Sequence, residues 1–303
     1  MRRLFLVLTI LLWAAALAFT NLAEKNGSGI YLRLNRAVTA AEAAEIAARE
    51  AEEEKAVGFC FYTVREGEWL SCPDNGQSAK AVVVPLLGNG ALLGAGPLSW
   101  TQGCVLDGET ARTLFGTDSV GGQQVISGER TLTVSGTLTA LSPTALVSAG
   151  EKDSLDQCVL AGFDENGAET ARQFLLRHNL SGEILNFYPL LVFARNLCLL
   201  PLWVLLASLC RLAGKRAKWL GWLAAGIGVV ALGSRIIVPG DAVPSVWSDF
   251  SFWSSWVRGQ KENLLRIFTW APVDRALQME QNMVKSMLCA LAGTIAAAVG
   301  GRR

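Results

Sequence analysis

Four apolar runs constrain this chain more than any other feature. LFLVLTILLWAAALAF fills residues 4–19 directly after Arg2 and Arg3, and further runs cover about 190–212, 219–238 and 283–300. A helix needs roughly 17–25 apolar residues to cross about 30 Å of hydrocarbon. The last three runs reach that length and the first is marginal. Composition agrees, because 51% of the 303 residues are hydrophobic and only 17% are charged, against about a quarter charged in a soluble domain. Mean hydropathy is +0.33. The expected fold class is an α+β membrane protein with four transmembrane helices and one large exported α+β domain between the first and second.

The first run has two readings that stand level. It is a membrane anchor, or, with Arg2, Arg3 and Ala16-Leu17-Ala18, a cleavable signal peptide. Either way the residues after it are exported. Arg211, Lys215, Arg216 and Lys218 crowd the link between the second and third runs, and Arg302 and Arg303 lie after the fourth. If every run spans and the first is retained, the positive-inside rule puts both termini in the cytoplasm, with 20–189 and 239–282 outside. The domains expected are an N-terminal helix at 1–20, an exported domain at 21–185, and a three-helix region at 186–303 with a long outer loop at 239–282. Arg195, Arg235 and Lys285 fall near the outer boundary and read as snorkelling side chains. Ala292, Ala296 and Gly300, with Gly293 and Ala297 beside them, form a small-residue ridge that suits close helix packing.

Several chemistries are disfavoured. A net charge of +1 offers no field for nucleic acid. The single histidine, His178, removes most metal sites and His-based triads, and none of the seven cysteines forms a CxxC pair. Gly88 to Gly96 is glycine-rich but lacks the Gly-Lys-Ser/Thr ending of a phosphate loop, so it reads as a flexible exposed loop. Glu52, Glu53 and Glu54 read as a solvated helix face. No catalytic residue, cofactor or metal site is expected. Cys60 and Cys158 lie in apolar strands and read as core. Cys72 and Cys104 flank the glycine-rich stretch and form the preferred disulfide in an oxidising exterior.

Within the exported part, Thr39 and Glu42 make a capping box that opens a helix running to Lys55. Strands are expected at 56–64, 79–87, 104–106 and 157–163. Asp107 should cap a helix at 108–115. A hairpin is expected at 123–126 and 132–138, and a helix at 168–178 ends in His178.

The segment CVLDGETARTLFGTDSVGGQQVISGERTLTVSGTL, residues 104–138, resembles the exported core domain of MacB/FtsX-type ABC transporter permeases. In that family a strand leads to a helix ending "A-x-x-LFG", then a "G-x-x-[IV]" strand, a turn and a "V-x-G" strand. The matching residues are Ala111, Leu114, Phe115 and Gly116, then Gly122, Val125, Val134, Gly136 and Leu138. They carry fold and no chemistry. One helix, a large exported domain and three further helices is also the family's topology.

The resemblance implies a permease-type subunit without ATPase activity of its own. A separate ABC ATPase would drive motion through the membrane to the exported domain, for export or extracytoplasmic work. It also implies a homodimer or a second permease subunit as partner, beside membrane lipid. Arg211, Lys215, Arg216 and Lys218 would form the ATPase-coupling loop, although that link is short for the family. The outer loop is long instead, and its Trp247, Trp253 and Trp256 suit an interfacial anchor in the outer headgroups or a packed lid. The alternative reading is a membrane-anchored extracytoplasmic binding or assembly protein that keeps the permease fold without ATPase coupling.

Overall fold

In a computed structural model, the structure describes residues 2–27, 29–95, 98, 102–162, 164–216, 218–237, 250–270 and 273–302. The chain divides into two compact units: a helical unit (Met1–Gly27, Phe187–Glu262, Gln278–Arg303) and a β-rich unit (Ser28–Asn186, Asn263–Leu277).

The helical unit begins with α1 (Arg2–Asn26). It runs about two turns beyond the apolar stretch, so the span of Leu4–Asn26 is no longer marginal in length. The second span, Tyr188–Ser208, is made of two helices, α5 (Tyr188–Leu197) and α6 (Leu200–Arg216). Pro201 explains the break. Having no N–H, it cannot bond back to Leu197, and its ring clashes with the preceding turn. The helix α7 (Lys218–Gly233) comes next with 16 residues, or about 24 Å at 1.5 Å per residue. It is therefore short for a span of about 30 Å of hydrocarbon, and among the described residues three other helical stretches are long and apolar enough to cross. The third such span, Asp274–Gly300, lies in a 29-residue helix, α9 (Asp274–Arg302).

The small-residue ridge of α9 finds its partner inside the chain. A side chain at Gly293 would meet Leu12 and Pro201, and one at Gly300 would meet Phe5. Ala296 and Ala297 are buried, whereas Ala292 is exposed. Beside this ridge three small polar side chains pack together, fully buried. Thr20 Oγ1 lies 2.6 Å from Ser286 Oγ and 3.5 Å from Cys198 Sγ, and the Ser286 hydroxyl also donates to the Ala16 carbonyl. Small residues let the backbones close in, and hydroxyls then join helices across the gap. Arg195 is not simply snorkelling, since its guanidinium pairs with Glu24 of α1 at 3.4 Å.

Among its described residues the β-rich unit holds ten strands: β1 (Ile30–Thr39), β2 (Phe59–Tyr62), β3 (Arg65–Ser71), β4 (Ser78–Gly88), β5 (Gly103–Asp107), β6 (Gln124–Ser127), β7 (Arg130–Leu138), β8 (Thr144–Ser148), β9 (Ser154–Leu160) and β10 (Gly182–Leu185). Its helices are α2 (Ala40–Ala51), α3 (Gly108–Phe115) and α4 (Gly167–Arg177). The long β4 belongs to two sheets. Its end joins the open antiparallel sheet β10-β1-β9-β2-β4, while its first part pairs β3 and its middle pairs β8. The second pairing closes a ring of six strands, β4-β3-β6-β7-β5-β8.

Each half has its own core, laid out by strand alternation. In the open sheet Ile30, Leu32, Leu34, Phe59, Phe61, Cys158 and Leu160 face α2 and α4, which add Ala43, Ile46, Ala171 and Phe174. In the ring Ala79, Ala81 and Val83 of β4 meet Cys104, Leu106, Leu132, Val134, Ala145 and Val147. Helix α3 packs Ala111 and Leu114 into that same core. Asp107 caps it by accepting from the amides of Glu109 and Thr110, and Gly116 ends it in the left-handed conformation (φ 75°) that an L side chain resists. The A-x-x-LFG pattern is therefore a buried face followed by a helix stop. The hairpin β6–β7 forms as its alternation implies.

Candidate functional site

Helix α2 starts at the expected capping box, with Thr39 Oγ1 accepting from the Glu42 amide and Glu42 accepting from the Thr39 amide. Its buried stripe runs Ala43, Ile46, Glu50, which drives a carboxylate into the core. Glu50 is only 2% exposed and fully engaged. It accepts from the Val57 amide (2.9 Å), from Arg177 (2.8 Å) and from His178 Nε2 (2.7 Å). Burial pushes its carboxyl up, but the Val57 N–H, His178 and Arg177 outweigh burial and hold it below the usual carboxylate range. The cluster ties the end of α2 to the end of α4. His178 packs edge-on against Phe174, and its Nδ1 is buried without a partner. His178 has no ligand among its neighbours along the chain, and the fold supplies Glu50 from 128 residues away.

Beside Glu50 opens a cleft of about 620 Å³ between α2, β2 and the stretch after β4, lined mainly by Ala47, Val57, Phe59, Leu87, Asn89 and Ala91. One wall is the short 3₁₀ turn Gly90–Leu93, opened by Asn89 Oδ1 accepting from the Ala91 amide and closed by Gly94 in the left-handed conformation. This corrects the expectation of an exposed loop, because Gly90, Leu92, Leu93 and Ala95 are buried. Leu92 and Leu93 carry the turn into the core, and a polar loop would not have done so.

A second polar knot braces the ring. Asp153 accepts from Arg65 (2.8 Å), Arg130 (3.5 Å) and the Gly150 amide (2.7 Å). It joins β3, the β6–β7 hairpin and the turn before β9, at the floor of a groove edged by the exposed Trp69.

The sheet face opposite α2 and α4 carries Tyr31, Cys60, Tyr62, Gln157 and Val159 through the register of β1, β9 and β2. All are buried. At Tyr31 and Gln157 this face meets Trp270, which belongs to the same unit and lies just after α8 (Phe250–Thr269). Trp270 sits 5.3 Å from the Tyr31 ring and donates its indole N–H to Gln157 Oε1 at 3.1 Å. Asp274 accepts from the Leu141 amide at 2.6 Å, and Arg275 donates to the Ala91 carbonyl at 2.7 Å. Asn263 accepts from the Asn186 amide and donates to its carbonyl. The expected outer loop thus contributes part of the β-rich unit. An isolated tryptophan in loop-like sequence was the one visible signal.

Of the expected coupling residues, Arg211, Lys215 and Arg216 end α6 and Lys218 begins α7, so a single position separates the two helices. Trp253 and Trp256 lie half-buried on α8, and Trp247 lies outside the described residues. The Cys72–Cys104 disulfide is not formed. Both thiols are free and buried, as are Cys60 and Cys158. The ring core takes Cys104 as a small apolar residue, and burial pushes its thiol up to about 12. Among the described residues no three His, Cys, Asp or Glu side chains gather as a metal site would need.

No protein-family model matches the chain, and no curated protein matches it. Solved structures do. The chain is similar to the periplasmic region of MacB from Actinobacillus actinomycetemcomitans, at 15% identity and a TM-score of 0.39, over 53% of this chain and 88% of that one. It is also similar to the extracellular domain of the noncanonic ABC-type transporter YknZ from Gram-positive bacteria, at 10% identity and a TM-score of 0.37, over 52% of this chain and 97% of that one. Both TM-scores lie below 0.5, and neither likeness bears on activity, substrate or partner.

Proposed function

We propose that this chain is a permease-type subunit of an ABC transporter, driven by a separate ATPase and performing export or other work on the outer side of a bacterial plasma membrane. In this reading α7 is the fourth span, both termini are cytoplasmic, and the β-rich unit, with the domain at 21–185 as its main part, is extracytoplasmic. Arg211, Lys215, Arg216 and Lys218 face the ATPase, a second permease copy completes the assembly, and Trp247, Trp253 and Trp256 hold the outer loop near the headgroups. The observation that carries the reading is the interposition of a β-rich unit between the first apolar helix and the rest. The basic clusters at 2–3, 211–218 and 302–303 support the orientation.

The test is a mild-detergent pull-down of the tagged chain from its native membranes, assayed for ATP hydrolysis. A stoichiometric ATPase that is lost when 211–218 becomes a glycine-serine link is the expected result. An intact chain with no such partner overturns the reading. One observation favours the alternative of an extracytoplasmic binding or assembly protein without ATPase coupling: α6 and α7 leave a single position between them, which offers an ATPase little to grip.

A further inference from the structure

The ring β4-β3-β6-β7-β5-β8 has a mouth at the end where β3 and β7 begin and β6 and β8 finish. Pairing between β3 and β6 covers only Leu70 and Ser71, so β3 and the tip of the β6–β7 hairpin part here around a groove of about 740 Å³. That volume lies in the roughly 300–1,000 Å³ range of small-molecule sites, for which barrel mouths are a common place. Val83 and Val147, both buried in the ring core, make the apolar part of its floor. The polar part is the Asp153 carboxylate, 12% exposed, which holds Arg65 and Arg130 in place. Gly150 leaves the space that the Arg130 guanidinium fills, since a Cβ there would stand 2.9 Å from Nη1. Trp69 edges the groove at 64% exposure, and among the described residues no ring contact or side-chain hydrogen bond engages its indole.

We propose that this mouth is a binding site for a neutral oligosaccharide, with Trp69 as the stacking platform and the side chains around the Asp153 knot as its hydrogen-bonding wall. The charges argue for a neutral ligand. Arg65, Arg130 and Lys152 are set against Glu68, Glu129, Glu151 and Asp153, so neither an anion nor a cation meets a field of one sign. The same set argues for hydroxyls. A guanidinium only donates and a carboxylate only accepts. A ligand that satisfies both at neighbouring points must donate and accept in turn, and a sugar hydroxyl does both. Trp69 supplies the third element. An indole is a broad apolar surface on a stiff side chain, and a pyranose ring carries C–H groups on its faces and hydroxyls at its edge. One face therefore lies on the indole while the edge meets the charged wall. Because Asp153 already fixes the guanidiniums, little side-chain freedom is lost on binding. The site lies wholly in the β-rich unit, so the inference goes beyond the permease reading and does not depend on it.

The test uses the full chain in lipid nanodiscs and saturation-transfer NMR. The probes are three neutral tetrasaccharides, cellotetraose, tetra-N-acetylchitotetraose and maltotetraose, beside a sulfated heparin tetrasaccharide. At least one neutral probe is expected to bind with a Kd of about 1 mM or tighter, nearly unchanged by added salt. Trp69→Ala should weaken that binding about tenfold or more. Trp69→Tyr, which keeps an aromatic face, should stay within about threefold of wild type. Amide exchange at Leu70 and Leu132 checks that the ring of each variant is intact, and Trp69→Leu, apolar but not flat, replaces Trp69→Ala if the latter does not accumulate. No binding of any neutral probe at about 10 mM overturns the inference. So does binding that is as tight without the indole. Binding confined to the sulfated probe and abolished by salt also overturns it, because the groove would then be an electrostatic site.

Discussion

Replacing Glu50 by alanine should loosen the α2–α4 side of the β-rich unit by about two orders of magnitude in opening equilibrium. Three partners lose their acceptor at once. Arg177, a third exposed, turns to water and costs little. The His178 ring, 2% exposed, cannot, and the part-buried Val57 amide beside the cleft can do so only in part; an orphaned buried donor costs roughly 1–3 kcal/mol. The sum is about 3 kcal/mol, below the ~3–5 kcal/mol typical for breaking a fully buried pair because one partner escapes to solvent. At ~1.4 kcal/mol per tenfold, exchange of the α4 amides should rise roughly a hundredfold in the intact protein at neutral pH.

Glu50→Gln separates charge from shape. The amide oxygen can keep Val57 and Arg177, so at neutral pH the loss should be smaller than for alanine. The two proteins should also differ in pH response. The folded carboxyl titrates below its unfolded counterpart, so its contribution is complete above the unfolded value and is lost as pH falls through the folded one. The gap between wild type and Glu50→Gln should therefore be widest above about pH 5 and close in acid. A Glu50→Ala protein whose α4 amides exchange within threefold of wild type at neutral pH would refute the account of this cluster.

Asp107→Ala orphans the amides of Glu109 and Thr110 and also that of Thr144 on β8, which Asp107 reaches at 2.9 Å. A loss of about 2–4 kcal/mol is expected from a cap plus a buried orphaned donor, read as a lower midpoint for protection of the ring; an unchanged midpoint would contradict it. Maleimide at neutral pH should leave Cys60, Cys72, Cys104 and Cys158 unlabelled in the folded protein, since all four are buried. Burial also pushes the thiols of Cys60, Cys104 and Cys158 up. Denaturation without reductant should then give an adduct by mass at every one of the seven cysteines, whereas a pair of missing adducts at Cys72 and Cys104 would restore the disulfide. In the helical unit Ser286→Ala should cost about 0.6 kcal/mol and no more than ~1.7 kcal/mol, because Thr20 keeps its bond to the Ala16 carbonyl. Reversible unfolding in detergent measures this, and a loss well above ~1.7 kcal/mol would mean that the hydroxyl contact matters far more than packing.

Local chemistry was legible wherever a few adjacent residues decide it. Thr39 and Glu42 cap α2, Asp107 and Gly116 bound α3, and alternation in 123–138 makes a hairpin, because each depends on bonds formed within one turn or between adjoining strands. Apolar length likewise announced three of the four expected spans, while α7 is shorter than its apolar run suggested. Tertiary structure alone decided which distant surfaces need covering. Nothing near position 50 says that His178 will meet Glu50, although a glutamate on the Ala43–Ile46 stripe marked an anomaly. Nothing near 270 says that Trp270 will seat on Tyr31 and Gln157. The cysteines show the same division. Their identity permitted a bridge, but the ring's closure places Cys104 among apolar neighbours, where a thiol serves as volume. Short-range hydrogen bonding and hydrophobic periodicity act over a few residues and can be read in order. Burial is a property of the closed sheet and of the segment that returns to cover it, and it exists only once the strands have paired.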